Sequence, residues 1–278
     1  MALLLALVIW ALCVMSVWFC FNGSYWLPPA WSTAAQAYDR QFLLTMAVVG
    51  VAFISAQVLL GWLIFKYRDQ GRRARYVEGN SRVEVGGIVV TGVVFVALAL
   101  MGQKLWAQVH LIQSPPDALH IDVVGQQFNW YLRYPGADGV FGRVSPDFYN
   151  KEENPTGRDP GDPAGKDDII QTILTVPVNR AVELHIRSWD VIHSFYMPPL
   201  RMKQDAVPGI TTTLRFTAGT PGTFEIACAE LCGASHYNMR SALVIVTPEE
   251  FAQFLVDNAP APEETPAEAP PAETPAQS

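Results

Sequence analysis

The residues best able to do chemistry crowd into one stretch of the chain, C-A-E-L-C-G-A-S-H-Y-N-M, from Cys228 to Met239. It holds two thiols, an imidazole and a thioether, with the carboxylate of Glu230 between the thiols. A second imidazole, His193, lies upstream in D-V-I-H-S-F. Thiolate, imidazole and a weak thioether form the ligand set that suits copper in electron transfer, because soft sulfur stabilises Cu(I) while nitrogen tolerates Cu(II). A mononuclear blue-copper site uses one cysteine, so a C-x3-C pair points instead to two thiolates bridging two metals. The competing role for the pair is a disulfide, which an outward-facing domain would permit. The His and Met that follow the second cysteine, His236 and Met239, favour the metal.

Those side chains need elements to position them. Ahead of Cys228 the run G-T-F-E-I-A alternates as a strand does, preceded by the turn residues Gly219, Pro221 and Gly222. After Met239, S-A-L-V-I-V reads as another strand. The ligands therefore sit on a loop between two strands, where a rigid scaffold fixes metal geometry. His193 closes a third run, A-V-E-L-H-I-R-S-W-D-V-I-H, which could bring it to the same end of a sandwich. Ile169–Val176, Arg180–Trp189 and Thr211–Thr217 read as further strands separated by V-P-V-N and P-G turns. Many short strands with regular turn signals predict a Greek-key sandwich of the cupredoxin type. Pro198, Pro199 and Pro208 bracket the loop after His193 and would stiffen it.

The stretch resembles the binuclear copper centre of subunit II of haem–copper cytochrome c oxidases, in its pattern C-x-E-x-C-G-x-x-H-x-x-M with an upstream H-S-F. The segment K-Q-D-A-V-P-G, Lys203 to Gly209, is similar to that family as well. The resemblance implies that Cys228 and Cys232 are bridging thiolates and that His193 and His236 give one imidazole to each of two copper ions. It makes Met239 a weak axial ligand and gives Glu230 two tasks: a backbone carbonyl for the second copper, and a carboxylate facing a magnesium ion shared with the catalytic subunit. It implies a terminal oxidase subunit that takes electrons from a cytochrome c and passes them to haem in subunit I, with a third subunit alongside. Haem and oxygen chemistry would then belong to a proton-pumping partner complex and not to this chain. In that family an aromatic segment supplies the tryptophan through which electrons arrive. Here Phe128 holds the first of those positions and Trp130 the second, within V-V-G-Q-Q-F-N-W-Y-L-R-Y-P-G. Asp190 and Asp205 are expected to orient ligands or waters of the partner subunit.

The rest of the chain supplies the anchor. Half of the 278 residues are apolar and only 16% are charged, which fits a membrane-anchored protein with one globular domain. Residues 1–21 carry no charge, reading as either a secretory apolar region or a spanning helix. The missing basic n-region and the length favour a retained helix. An external connector is expected at 22–41, spanning helices at 42–65 and 83–105, and a basic loop at 66–82 between them. Lys66, Arg68, Arg72, Arg73, Arg75 and Arg82 put that loop in the cytoplasm by the positive-inside rule. The connector and everything after Leu105 then lie on the periplasmic side of a bacterial respiratory membrane, with Trp26, Trp31, Trp62 and Trp106 near its interfaces. The overall class is thus α+β and membrane-anchored, a helical hairpin plus one further N-terminal helix ahead of the sandwich.

The outer domain is expected at 114–256. From Ala107 onward there are 22 acidic and 11 basic residues, whereas residues 1–106 hold 4 acidic and 8 basic. An acidic outer face would steer a basic soluble partner and gives nucleic acid nothing to bind. The Gly-, Pro- and Asp-rich segment from Asp138 to Asp168 reads as a solvated surface loop. His185, His110 and His120 have no motif around them and no assigned role. P-E-E-F-A-Q-F-L-V-D-N predicts a short amphipathic helix opened by Pro248. The tail, 257–278, has no apolar face and is expected to be disordered.

Overall fold

A computed structural model describes residues 1–22, 27–71, 73, 76 and 78–261. Trp26, Arg72, Arg75 and the tail beyond Ala261 lie outside the described residues. Three helices come first: α1 (Ala2–Asn22), α2 (Thr33–Lys66) and α3 (Ser81–His110), each long and apolar enough to cross a membrane. At 1.5 Å per residue the 30 residues of α3 reach about 45 Å, more than the roughly 30 Å of a hydrocarbon core. α1 and α2 pack closely where Trp10 Nε1 donates to the Val58 carbonyl at 3.2 Å. Gly61 permits this approach, since a Cβ there would meet Trp10 Nε1 at 2.6 Å.

Both long helices overrun the spans read from hydropathy. α2 starts at Thr33 rather than Phe42, so the second half of the expected connector is helical. Ser32 caps it by accepting the Ala35 N–H at 3.0 Å. Tertiary contacts explain the extension. Asp39, on the added turns, takes a two-pronged bond from Arg201, Nε to Oδ1 at 2.8 Å and Nη2 to Oδ2 at 2.9 Å. Just ahead, Trp31 N–H donates to the Pro199 carbonyl at 3.2 Å and the Trp31 ring packs on Phe224. Hydropathy sees only the apolar run; the polar turns are helical because the β-domain holds them.

The β-domain has ten strands: β1 (Leu119–Gln126), β2 (Asn129–Tyr134), β3 (Ile169–Gln171), β4 (Leu174–Pro177), β5 (Ala181–Ser188), β6 (His193–Met197), β7 (Met202–Ala206), β8 (Thr212–Thr217), β9 (Gly222–Cys228) and β10 (Arg240–Val246). They form two five-stranded sheets, ordered β3-β2-β1-β5-β8 and β4-β10-β9-β6-β7. The pairs β1/β5 and β4/β10 are parallel and the others antiparallel. This is the cupredoxin-like sandwich that the strand pattern predicts. Ile121, Val123, Leu132, Leu184 and Ile186 from one sheet and Phe195, Met197, Ile226 and Leu243 from the other are buried, as period-two alternation requires. A final helix, α4 (Pro248–Asp257), opens with a capping box between Thr247 and Glu250 and lays Phe251 and Phe254 against Tyr134.

The 138–168 segment is more than a solvated loop. Its far end returns Asp168 to the domain interior, where the carboxylate accepts from Arg133 Nη1 at 3.1 Å. Arg133 is itself buried and bonds Asp122 Oδ2 at 2.7 Å and the Gly142 carbonyl at 2.9 Å. A guanidinium buried there must be met by anions and carbonyls, and the loop supplies two of them.

Candidate metal centre

β9 delivers Cys228 to the end of its sheet, paired with Phe195 of β6. The Cys228 N–H donates to the Met239 carbonyl at 3.1 Å and the Ala229 N–H to that of Ser194 at 2.9 Å, so the following loop starts and ends at fixed points. Inside the loop Gly233 sits at φ +138°, a conformation side chains rarely adopt. A Cβ there would also meet Gln127 Nε2 at 2.8 Å and the Phe128 ring at 3.0 Å. A 3-10 turn, His236–Asn238, then brings the chain back to β10.

The loop folds its sulfurs and imidazole together. Cys228 Sγ lies 3.9 Å from Cys232 Sγ, and Cys232 Sγ is 3.6 Å from His236 Nδ1 and 3.8 Å from Met239 Sδ. Cys228, Cys232 and Met239 are buried, and His236 is half-buried. The cysteines are free thiols: 3.9 Å is far beyond the roughly 2.05 Å of a disulfide. It is short enough for both sulfurs to bond one ion at about 2.3 Å from each. The Glu230 carbonyl lies 3.3 Å from Cys228 Sγ, while Glu230 itself is exposed.

His193 reaches this cluster from β6. One of its nitrogens lies within 4.8 Å of both sulfurs. Its Nε2 is 2.8 Å from Asp190 Oδ1, and its Nδ1 is buried with no hydrogen-bond partner. A buried nitrogen left so would cost about 1–3 kcal/mol. A ligating imidazole typically gives its other ring N–H to a carboxylate, which is the arrangement here. The donor set therefore fits a soft transition-metal centre. Ligand atoms from two strand ends and one loop converge, the orphaned nitrogen has a use, and thiolate, imidazole and thioether together suit copper.

Electrostatics favour metal uptake. Burial alone would raise the Cys228 thiol, but His193, the Ser194 and Glu230 backbone and His236 outweigh it and bring it down to about 6. Cys232 moves the other way, to about 12, through burial and the charge of Cys228 beside it. The opposed directions describe one pair: the first proton leaves easily and the second waits for a cation. Burial would lower the His193 imidazole, yet Cys228 and Asp190 raise it above its ordinary value. Burial would likewise raise Asp190, and the Gln127 N–H and the His193 ring hold it below the usual carboxylate range.

The other expected residues fall at varying distances from this cluster. Trp130 is buried and meets the His193 ring edge-on, centroids 5.8 Å apart at 67°. Phe128 is half-buried and lies against Gly233 of the loop. Asp205 accepts from Ser194 Oγ at 2.7 Å, one residue from His193, and so reaches the cluster only through Ser194. Gln127 escaped the sequence reading. Its N–H donates to Asp190 Oδ2 at 2.6 Å and its Nε2 to the Cys232 carbonyl at 2.5 Å, so it links the β1–β2 turn to both halves of the site. Its signal was its place in the aromatic segment V-V-G-Q-Q-F-N-W, just ahead of Phe128.

A family model for the periplasmic domain of cytochrome c oxidase subunit II matches residues 119–246. The alternative cytochrome c oxidase subunit 2 of Bradyrhizobium diazoefficiens is 33% identical over 258 residues, covering 90% of this chain and 90% of that protein. The cytochrome c oxidase subunit 2 of Synechocystis is 29% identical, covering 91% of this chain and 81% of that protein. The solved periplasmic domain of cytochrome oxidase subunit II from Bradyrhizobium japonicum aligns with a TM-score of 0.39 and 28% identity, covering 52% of this chain and 96% of that one. Apolar helices able to cross a membrane, ahead of a domain matched as periplasmic, make this a membrane protein with an outer domain, and the chain belongs to the cytochrome c oxidase subunit II family.

Proposed function

We propose that this chain takes single electrons from a cytochrome c outside the membrane and passes them to haem in the catalytic subunit of a terminal oxidase. The ligands are His193, Cys228, Cys232, His236, Met239 and the backbone carbonyl of Glu230, holding two copper ions. The observation that carries the reading is the convergence of two unpaired cysteine sulfurs, 3.9 Å apart, with His236, Met239 and an orphaned His193 nitrogen, in a chain of this family. Two copper ions held by these residues would supply a one-electron store.

The protein's part is to hold the ligands still and dry. Asp190 fixes the His193 ring, so that Nδ1 is the nitrogen left for metal. Gln127 ties the Cys232 carbonyl to the β1–β2 turn. Such anchoring resists the geometry change that would otherwise oppose a change of redox state. The exposed Glu230 side chain is suited to a magnesium ion shared with the catalytic subunit. Phe128, half-buried over the loop, and Trp130, behind it against His193, are the candidate rings for receiving the electron. The acidic excess after residue 106 would draw in a basic donor in a salt-dependent way.

Electron paramagnetic resonance of the copper-loaded full chain tests the reading. Two coppers per chain and a mixed-valence signal with the electron shared equally are expected. A one-copper blue spectrum would overturn it.

A further inference from the structure

Three side chains that the copper centre does not use meet on the outward face of the β1/β5 pair. The parallel register sets His120 opposite Glu183 and Asp122 opposite His185. Ile121 and Leu184, the residues between, point into the core, so His120, Glu183 and His185 share the other face. We propose that these three form a second metal site, taking one divalent cation of the zinc class, separate from the cysteine-lined centre.

The spacing carries the argument. His120 Nδ1 lies 3.2 Å from His185 Nε2, and His185 Nε2 lies 3.8 Å from Glu183 Oε1. All three ligand atoms fall within 4.8 Å of one another. Zinc binds nitrogen and carboxylate oxygen at about 2.0–2.2 Å in a tetrahedron, which sets its ligand atoms roughly 3.3 Å apart. The triangle present is that figure to within about half an ångström on the two edges resolved, a gap that small rotations of half-buried side chains can close. The two rings lie nearly parallel, 8° apart with centroids at 5.5 Å. Two nitrogens facing each other at this distance share one proton; a cation between them would engage both lone pairs.

The surroundings orient the carboxylate without using it up. Glu183 Oε2 accepts from Ser114 Oγ at 2.5 Å and from Arg215 Nε at 2.8 Å, leaving Oε1 turned toward His185. Such outer bonds hold a ligating carboxylate in place. Both cations nearby are already matched, Arg215 by Glu183 and Arg187 by Asp122. Burial lowers the His185 imidazole below its ordinary value, which keeps it neutral and able to ligate. Glu183 stays below the usual carboxylate range because Ser114 and Arg215 together overcome its burial. His120 and His185 remain half-buried, which leaves a side open for a water as fourth ligand. Ser114 follows closely after α3, and Arg215 Nη1 donates to the His110 carbonyl at 3.4 Å, so the ion would tie the sheet to the exit of a membrane helix.

The full chain, copper-loaded in detergent and dialysed against dilute zinc, tests this. One zinc per chain is expected, with an X-ray absorption edge showing nitrogen and oxygen neighbours and no sulfur. His120→Asn and His185→Asn should each weaken it at least about tenfold while copper content and visible spectrum stay unchanged. If His185→Asn loses the copper spectrum, His120→Asn, at the half-exposed partner ring, decides alone. No retained zinc, zinc with sulfur neighbours, or equal retention in the deciding variant would overturn the site.

Discussion

Asp190 Oδ1 and His193 Nε2 sit 2.8 Å apart, three residues from each other across the link between β5 and β6. That bond decides which imidazole nitrogen faces the sulfurs. Asp190→Asn keeps the shape but removes the charge and can present a donor to Nε2. Loss of an outer partner of this kind typically costs 10–100-fold in metal affinity. Competition with a copper chelator should show a loss of about that size, with the stoichiometry of the saturated chain unchanged. An affinity equal to that of the parent would mean the carboxylate is not needed.

Gly233→Ala should disrupt the site more than its size suggests. The residue would carry a side chain at φ +138°, with its Cβ 2.8 Å from Gln127 Nε2. Strain in such a backbone region costs on the order of 1–3 kcal/mol. The Gln127 bond to the Cys232 carbonyl would be pushed aside as well. Thermal unfolding of the metal-free chain should fall modestly and the copper content more sharply.

Phe128→Trp should speed oxidation of cytochrome c by the assembled oxidase if the ring over Gly233 receives the electron. An unchanged rate would place arrival elsewhere, with Trp130 against His193 the next ring to test.

The thiol pair should titrate in a visible way before metal is added. With Cys228 at about 6, its folded form sheds a proton well below the ordinary thiol range. Thiolate absorbance of the metal-free chain is expected to rise through a midpoint near pH 6. Because the folded state then binds fewer protons than the unfolded one, this group adds stability as pH rises from about 6 toward its unfolded value. Cys228→Ser should abolish the step, and a midpoint near 9 in the parent chain would contradict the assigned cause.

Arg133→Met should destabilise the outer domain although it touches no candidate ligand. It strips the buried Asp168 of its ion-pair partner and takes one of two from Asp122, which keeps Arg187. Breaking a buried pair from one side costs about 3–5 kcal/mol. Asp168 is already pushed up to about 6 by burial, so protonation would relieve part of this loss. The stability gap between variant and parent should therefore narrow as pH falls toward about 6. A denaturation series across pH reads both effects.

The sequence was most informative where local pattern and chemistry coincide. Period-two alternation and Pro/Gly turns announced the strands, the apolar runs announced three helices, and Cys228 to Met239 announced a candidate metal loop because every proposed donor but one lies within it. Other features were hidden for a common reason. The first turns of α2 look like connector, since Asp39 finds Arg201 only after the chain has run through α3 and the first six strands. The 138–168 segment looks like solvent-exposed chain because its anchoring residue, Asp168, is charged and its partner Arg133 lies 35 residues away in sequence.

By itself, then, the chain pointed to the candidate donors and to the class of fold, since residue type and local pattern carry both. Tertiary structure alone decided which His193 nitrogen Asp190 holds, that Gln127 bridges the two halves of the centre, and that His120, Glu183 and His185 face one another across parallel strands. Register between distant strands sets the last of these meetings. A register is a property of the packed sheet, so it leaves no mark on either strand read separately.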